Sequence, residues 1–377
     1  MHATELELVD FRCYERAELT LAPGVTVVVG DNGTGKTSLL EGLGWAATTH
    51  SFRGVPDAAL VRAGAEQAVV RVEVVDGERQ QLIEAELRSV GRNRILRNHQ
   101  AVTRTRDLLG TLLVTVFAPD DLELVKGAPS GRRTYLDDLL VGVAPRYDAV
   151  RSEYDRVLRQ RNAMLRGGVR DQEARTTLEV FDDQLVRAGA SLVAGRLRLI
   201  ERLRVTLTES YRMLAGAETA VSARYHAEWM GDAGPDSVES PDAVKTPEAV
   251  ETMMRSALAT VHRRELERGV TLVGPHRDDW HLGLDGLEAR TQASQGEQRT
   301  LALAMRLAGH RVTREVTGTA PVLLLDDVFS ELDEHRSNAL VAHLESDQTV
   351  MTTAGALPAG IRPDRVVRIA AGRLEAA

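Results

Sequence analysis

Eight consecutive residues, Gly30, Asp31, Asn32, Gly33, Thr34, Gly35, Lys36 and Thr37, carry the most specific chemistry in the chain. They fit G-x-x-x-x-G-K-[ST]: the glycines let successive backbone N–H groups curl toward phosphate oxygens, the lysine neutralises the β- and γ-phosphates, and the hydroxyl can bind magnesium. ATP and Mg2+ are the cofactors this loop predicts. Asp326 and Asp327 close the apolar run VLLLDD. A buried strand ending on two carboxylates delivers them to the edge of an α/β sheet where ligands bind. Asp326 is expected beside the magnesium, and Asp327 is suited to orienting and polarising the attacking water from outside the metal shell. Lys36, Asp326 and Asp327 are thus the expected catalytic group for ATP hydrolysis. A third segment, SQGEQRT from Ser294 to Thr300, opens an apolar helix whose free N–H groups suit either a phosphate or an ordinary helix cap.

These residues need elements that hold them in place. The apolar strand VTVVV, after a turn at Pro23-Gly24, runs directly into Gly30, and a helix is predicted from Gly35 to about Ala47. Two alternating runs joined at Asp76-Gly77 predict a hairpin, and LLVTVF predicts a strand ended by Pro119. After Gly127 helical spacing takes over, with Leu178, Phe181, Leu185, Ala188 and Leu192 on one face. Breaks are expected at Gly167-Gly168 and across 231–247, and a helix carrying Val250, Met254, Ala257 and Val261 is expected to end near Gly269. From Thr271 the β pattern returns, followed by a helix after Ser294, the strand VLLLDD and a final strand near Thr349 to Thr352. The expectation is an α/β phosphate-loop head, 1–126 and 270–377, split by a mainly helical arm, 127–269.

Composition narrows the function classes. The formal charge of −8 and pI near 5.8 exclude a uniformly basic coat, so any nucleic-acid contact must be a local patch. One such patch is Arg88, Arg92, Arg94, Arg97, Arg104 and Arg106, in a stretch without acidic residues. Arginine forks there suit DNA phosphates without reading bases, although acidic neighbours in space could balance them. Aromatic residues make up 4%, which disfavours a base-stacking platform. The single cysteine, Cys13, rules out an internal disulfide framework, and the N-terminus lacks a secretory pattern. Apolar runs such as Val25 to Val29 fall well short of a membrane span. A cytoplasmic protein without membrane contact is expected.

The phosphate loop, the S-x-G-E-Q segment and DDVFSELD together resemble the ABC-type ATPase heads of the SMC and Rad50 class. The segments LELVDFRCYE, GDNGTGKTSLLEGL, THSFRG, FAPDDLELVKGAPSGRRTYLD, GPHRDD, SQGEQRT and LLLDDVFSELD resemble, in order and spacing, the RecF family of that class. The resemblance implies an ATP-dependent homodimer, in which Ser294 and Gly296 of one copy meet the γ-phosphate held by the other, with Glu297 and Gln298 nearby in the interface. It places Asp333 in a loop crossing to the partner, Thr353 at the switch position, and Arg12 as an arginine reaching nucleotide. A plain salt bridge is the competing role for Arg12. His276 and Arg277 are open to ligand contact or to pairing with Asp278 and Asp279. The resemblance further implies binding to duplex, gapped or junction DNA, slow and DNA-stimulated hydrolysis, and action with RecR and RecO in RecA loading. A transporter ATPase subunit and a nucleotide-binding scaffold without turnover are the alternatives. Against a transporter stands the long separation between the phosphate loop and Ser294.

Overall fold

Alternation of apolar and polar residues builds the first sheet. In the computed structural model, which describes residues 1–104, 107–169, 171–233, 246–344, 346–358, 360–370 and 373–376, the chain divides into two compact units. The first comprises Met1–Leu122, Glu209–Glu218 and Arg299–Ala377, and the second Glu123–Thr208 and Thr219–Gln298.

In the first unit, β1 (His2–Phe11), β2 (Tyr14–Thr20), β4 (Gln67–Asp76), β5 (Arg79–Arg88), β6 (Arg94–Arg97) and β7 (Gln100–Ala101) form an antiparallel sheet ordered β2-β1-β4-β5-β6-β7. Leu6, Leu8, Val70, Val72, Ile83 and Ala85 point inward with the two-residue period of a half-buried sheet. The hairpin at Asp76-Gly77 is as expected. The tight turn at Arg12-Cys13 is not: Arg12 adopts a left-handed conformation (φ 54°), and no glycine or proline marks the place.

The second sheet of this unit is ordered β15-β14-β3-β13-β12-β8. Its strands are β3 (Val25–Val29), β8 (Val114–Phe117), β12 (Val322–Asp326), β13 (Thr349–Thr353), β14 (Arg365–Ala370) and β15 (Arg373–Ala376). All pairs are parallel except β14–β15. The expected last strand near Thr349 is therefore followed by two more. Between the sheets lies α1 (Lys36–Thr48), which packs on β1 and β4 on one side and on β12 and β13 on the other. A helix buried on both faces cannot show a strong amphipathic period. Burial of Leu39, Leu40 and Leu43 stabilises it by about 1.5–3 kcal/mol each.

The second unit is built on α2 (Glu123–Lys126), α3 (Pro129–Val143), α4 (Arg146–Gly167), α5 (Gln172–Ala215) and α6 (Pro247–Arg268). The residues of α5 from Glu209 onward belong to the first unit. Leu178, Leu185 and Leu192 are buried as their spacing requires. Gly168 and Gly269, both at positive φ, cap α4 and α6 where breaks were expected. Most of the break expected across 231–247 lies outside the described residues. One expectation fails: strands do not vanish after Gly127. Instead β9 (Val221–His226) pairs with β10 (Asp279–Leu284), which pairs with β11 (Leu287–Glu288). Long-range pairing, invisible to a local window, makes Val221–His226 a strand. Asp279–Leu284, expected in the C-terminal part of the phosphate-loop head, is thus grouped with the helices of the second unit. Next come α7 (Ala289–Gln292) and α8 (Gln295–Thr317), the latter continuing into the first unit, which also holds α9 (Glu334–Ala342).

Candidate nucleotide site and its surroundings

The phosphate loop leaves the carboxyl end of β3 and enters α1, the geometry that aims helix N–H groups and their partial positive charge at an anion. Gly35 has φ 105°, and a Cβ there would stand 2.6 Å from the Cys13 sulfur and 2.7 Å from the Tyr14 hydroxyl. The unexpected β1–β2 turn thus supports the loop from below and restricts position 35 to glycine. The Lys36 ammonium is folded over the loop, donating to the carbonyl oxygens of Gly30 (2.7 Å) and Asp31 (2.8 Å). Asp31 and Asn32 are exposed, Gly33 sits at φ 81°, and the Thr34 hydroxyl donates to Asp31 O.

Strand β13 lies between β3 and β12, so the phosphate loop and the carboxylates are not on adjacent strands. The gap is closed by hydroxyls. Thr37 Oγ1 donates to Asp326 Oδ1 at 3.0 Å, and Thr352 Oγ1, level with Asp326 across the ladder, donates to the same oxygen at 2.9 Å. Thr352 Oγ1 in turn accepts from the Asp327 N–H at 3.0 Å. Burial pushes the Asp326 carboxyl above the usual range and the Asp327 charge pushes the same way, against the Thr352 and Thr37 hydroxyls and the Arg53 guanidinium. Asp327 takes the left-handed conformation (φ 48°), unusual outside glycine and characteristic of strained functional positions. Sequence reasoning missed Thr352 and Arg53. A threonine within the strand TVMTT and an arginine in a loop give no local signal of the carboxylate they face.

Thr353 also joins the site: it pairs with Val29 across the ladder, and its carbonyl accepts from the Gly30 N–H at 3.2 Å. Arg12 forms a fork with the fully buried Glu41, at 2.8 and 2.7 Å, and donates to Ala59 O at 3.0 Å. The Ser51 hydroxyl donates to the same Glu41 carboxylate. Asp333 caps α9 by accepting from the Arg336 N–H at 2.8 Å and pairs with the Arg336 guanidinium.

Ser294 stands in the second unit, where it starts α8 with a capping box. Its hydroxyl accepts from the Glu297 N–H (3.3 Å), while its own N–H and hydroxyl donate to the Glu297 carboxylate (2.8 and 2.7 Å). Ser294 is exposed and Gly296 half-buried. Gln298, expected in an interface, is instead buried in its own unit and donates to the carbonyls of Ala289 and Arg290. Four residues apart, the two stand only about 40° from each other around the helix, so it is the neighbouring α7, not helix rotation, that covers Gln298.

Of the arginines proposed for DNA, Arg88, Arg92, Arg94, Arg97 and Arg104 are exposed on or beside β5–β7, and Arg106 lies outside the described residues. Arg94 pairs loosely with Glu86 (3.5 Å), and Arg97 donates to the Asp107 carbonyl. Val90, 86% exposed, sits at the hairpin tip among them.

Of the resembling segments, those around 117–137 and 274–279 offer no assignable chemistry from their residues, and Arg132 to Tyr135 of the first meet the end of the second inside the second unit. Arg132 forks Asp279, Arg133 donates to the Asp278 carbonyl, and Tyr135 stacks on Trp280. The Asp278 carboxylate, 1% exposed, accepts from the Tyr225 hydroxyl and the Trp229 indole N–H. Burial pushes its carboxyl up to about 6 despite those bonds and the nearby Arg196. His276 is pushed down to about 4 by burial, and the neutral ring bridges Tyr154 and the Thr271 carbonyl. Neither aspartate pairs with His276 or Arg277. Among the described residues no helix is long and apolar enough to cross a membrane, and no cluster of three His, Cys, Asp or Glu forms a metal site.

Comparisons with known proteins bear on the family and the fold. Residues 2–354 match the RecF/RecN/SMC N-terminal domain family. The DNA replication and repair protein RecF of Frankia alni is 46% identical over 385 residues, with 99% of each chain covered. That of Paenarthrobacter aurescens is 42% identical over 374 residues, 94% of each. A solved structure of the recombination mediator protein RecF-ATPrS in the RecFOR pathway superposes with a TM-score of 0.87 at 28% identity, covering 100% of this chain and 98% of that one. An Smc head bound to the C-winged helix domain of ScpA, at TM-score 0.56 and 16% identity over 100% and 97%, shares the fold.

Proposed function

This chain belongs to the RecF family of DNA replication and repair proteins, and on that premise we propose an ATPase of recombinational repair in which ATP joins two copies on DNA and slow hydrolysis releases them. A relative of known structure is described with ATP, which supports ATP as the nucleotide here. The observation that carries the proposal is the convergence of Thr37, Asp326 and Thr352 beside the phosphate loop.

Phosphate oxygens would take the places that the carbonyls of Gly30 and Asp31 occupy around Lys36, exchanging neutral acceptors for charged ones. The Thr37 hydroxyl and the Asp326 carboxylate, 3.0 Å apart, are hard oxygen donors fit to share Mg2+. When bound, the ion neutralises charge on the β- and γ-phosphates and removes the bias that burial places on Asp326. Asp327, fixed through its N–H to Thr352, orients and polarises the attacking water. Thr353 completes the nucleotide surroundings, Arg12, held by its fork with Glu41, reaches the nucleotide, and Asp333 lies in the loop that crosses to the second copy. Ser294 and Gly296 act on the nucleotide of a second copy, so closure depends on ATP. The arginines of β5 and β6 hold DNA phosphates, and hydrolysis faster with DNA than without it follows from coupling closure to binding. RecR and RecO are the proposed partners, from the pathway in which the structural relative is described, with RecA loading as the outcome and the cytoplasm as its place.

Sizing the protein with ATP, ADP or no nucleotide, with and without gapped duplex, tests the proposal. Dimers are expected with ATP and on DNA. A monomer under every condition, or DNA binding indifferent to nucleotide, overturns it. Phosphate release that is equal in wild type and Asp327→Asn would favour a scaffold without turnover.

A further inference from the structure

We infer that Arg132 and Asp279 form a positioning device for the start of α8, setting where Ser294 and Gly296 stand. The inference rests on the proposal that these two residues act on the nucleotide of a second copy. Every bond in it lies within the second unit.

Arg132 sits at the meeting point of two elements. Its side chain is 4% exposed; Nε and one terminal nitrogen donate to the two Asp279 oxygens at 2.7 and 2.9 Å. The other terminal nitrogen donates to the carbonyls of Leu124 (3.4 Å), Val125 (3.2 Å) and Gly127 (3.1 Å). These carbonyls at the end of α2 lack helical partners, so one guanidinium terminates α2 and anchors the first residue of β10. Both elements lead to the same place. Short α2 packs against α7, and β10 turns through Asp285-Gly286 into β11 and then α7. Trp280, next to Asp279, stacks on Tyr135 at 6.0 Å with rings 4° from parallel, which fixes the strand's orientation on α3. The final connection is Gln298, whose buried side-chain N–H group reaches back from α8 to the carbonyls of Ala289 and Arg290 at 3.0 and 3.1 Å. A path of oriented bonds at both ends, joined by the packing of α2 and β10 on α7, thus runs from Arg132 to the helix start that presents Ser294.

Stability alone is a poor reason for such a pair, because a buried ion pair is often no more stabilising than apolar residues of the same volume. Direction is what a two-pronged fork supplies and apolar packing does not. A displacement of about 1 Å at the helix start is sufficient to spoil an interaction whose function is alignment on a phosphate.

The full-length chain is tested as wild type, Arg132→Lys, Asp279→Asn, Arg161→Lys and Ser294→Arg. Binding of a non-hydrolysable ATP analogue is measured at concentrations that keep the protein monomeric. Analogue-driven dimerisation is measured by sedimentation, and thermal unfolding is recorded for each variant. Arg132→Lys and Asp279→Asn are expected to weaken dimerisation about tenfold or more, with monomer affinity unchanged within about twofold. Arg161→Lys breaks another buried pair of the same unit, Arg161–Glu265, and serves as the stability control. It is expected to lower the unfolding temperature yet dimerise as wild type. Wild-type dimerisation by both Arg132→Lys and Asp279→Asn overturns the inference, as does an equal loss in Arg161→Lys. If Arg132→Lys fails to fold, Asp279→Asn, which keeps the side-chain shape, decides alone. Ser294→Arg separates the two proposals: dimers that persist in it overturn the role in trans. Dimers lost in Ser294→Arg but retained in Arg132→Lys and Asp279→Asn overturn the positioning role alone.

Discussion

At Lys36 the ammonium rests on two backbone carbonyls, 2.7 and 2.8 Å away, that phosphate oxygens would replace. Lys36→Ala is expected to weaken ATP binding by about a hundredfold, the scale of one or two missing charge-assisted hydrogen bonds, while the melting temperature without nucleotide stays close to wild type. Calorimetric titration checks this; an unchanged affinity would reject the assignment of the loop. Asp327→Asn is expected to retain ATP-driven dimers and to lose phosphate release about a hundredfold or more, since an amide cannot accept the proton of the attacking water. The loop's residue types were legible from the sequence because their spacing alone specifies the backbone curl. Thr352 was not, since its role arises from the level it shares with Asp326 on the neighbouring strand.

Among elements, the strands β9 and β10 with α3 and α5 enclose the polar network around Asp278. Arg196 and Arg133 face it with their charges, and the Tyr225 hydroxyl and Trp229 indole donate to it. Its folded pKa of about 6 lies above the ordinary 3.8, so the native state holds a proton that the unfolded chain releases between those values. Stability from this group is complete below about pH 4 and declines as pH rises to about 6, by on the order of 3 kcal/mol. The expected observation is that denaturant unfolding of Asp278→Asn has a smaller loss of stability from pH 4 to pH 7 than wild type. Identical pH profiles would count against the raised pKa. Helices of this unit were legible from their spacing, and their ends from Gly168 and Gly269. The strand Val221–His226 was not, because its partner lies more than fifty residues away in sequence.

For the molecule as a whole, the net charge of −8 contrasts with the exposed arginines of the β5–β6 hairpin. Replacing Arg88, Arg92 and Arg94 with alanine is expected to reduce the salt dependence of duplex binding, the slope of log K against log salt falling by about one for each DNA phosphate that is no longer neutralised. Binding to different sequences should weaken to a similar extent. Fluorescence anisotropy over a salt series measures both quantities, and an unchanged slope would move the DNA surface elsewhere.

Sequence by itself determined the phosphate loop, the paired carboxylates and the α/β and helical character of the chain, since each is written in residue types at short, fixed spacing. It also carried the family resemblance, through the order of several segments along nearly the whole chain. Tertiary structure decided what depends on neighbours far apart in sequence. It placed Thr352 between the loop and Asp326, set the Arg12–Cys13 turn beneath Gly35, and buried Gln298 rather than exposing it. It also joined the segments around 117–137 and 274–279 through Arg132 and Asp279. Local periodicity reports which face of an element is apolar, but the partner that covers that face is chosen by the packing of the whole chain.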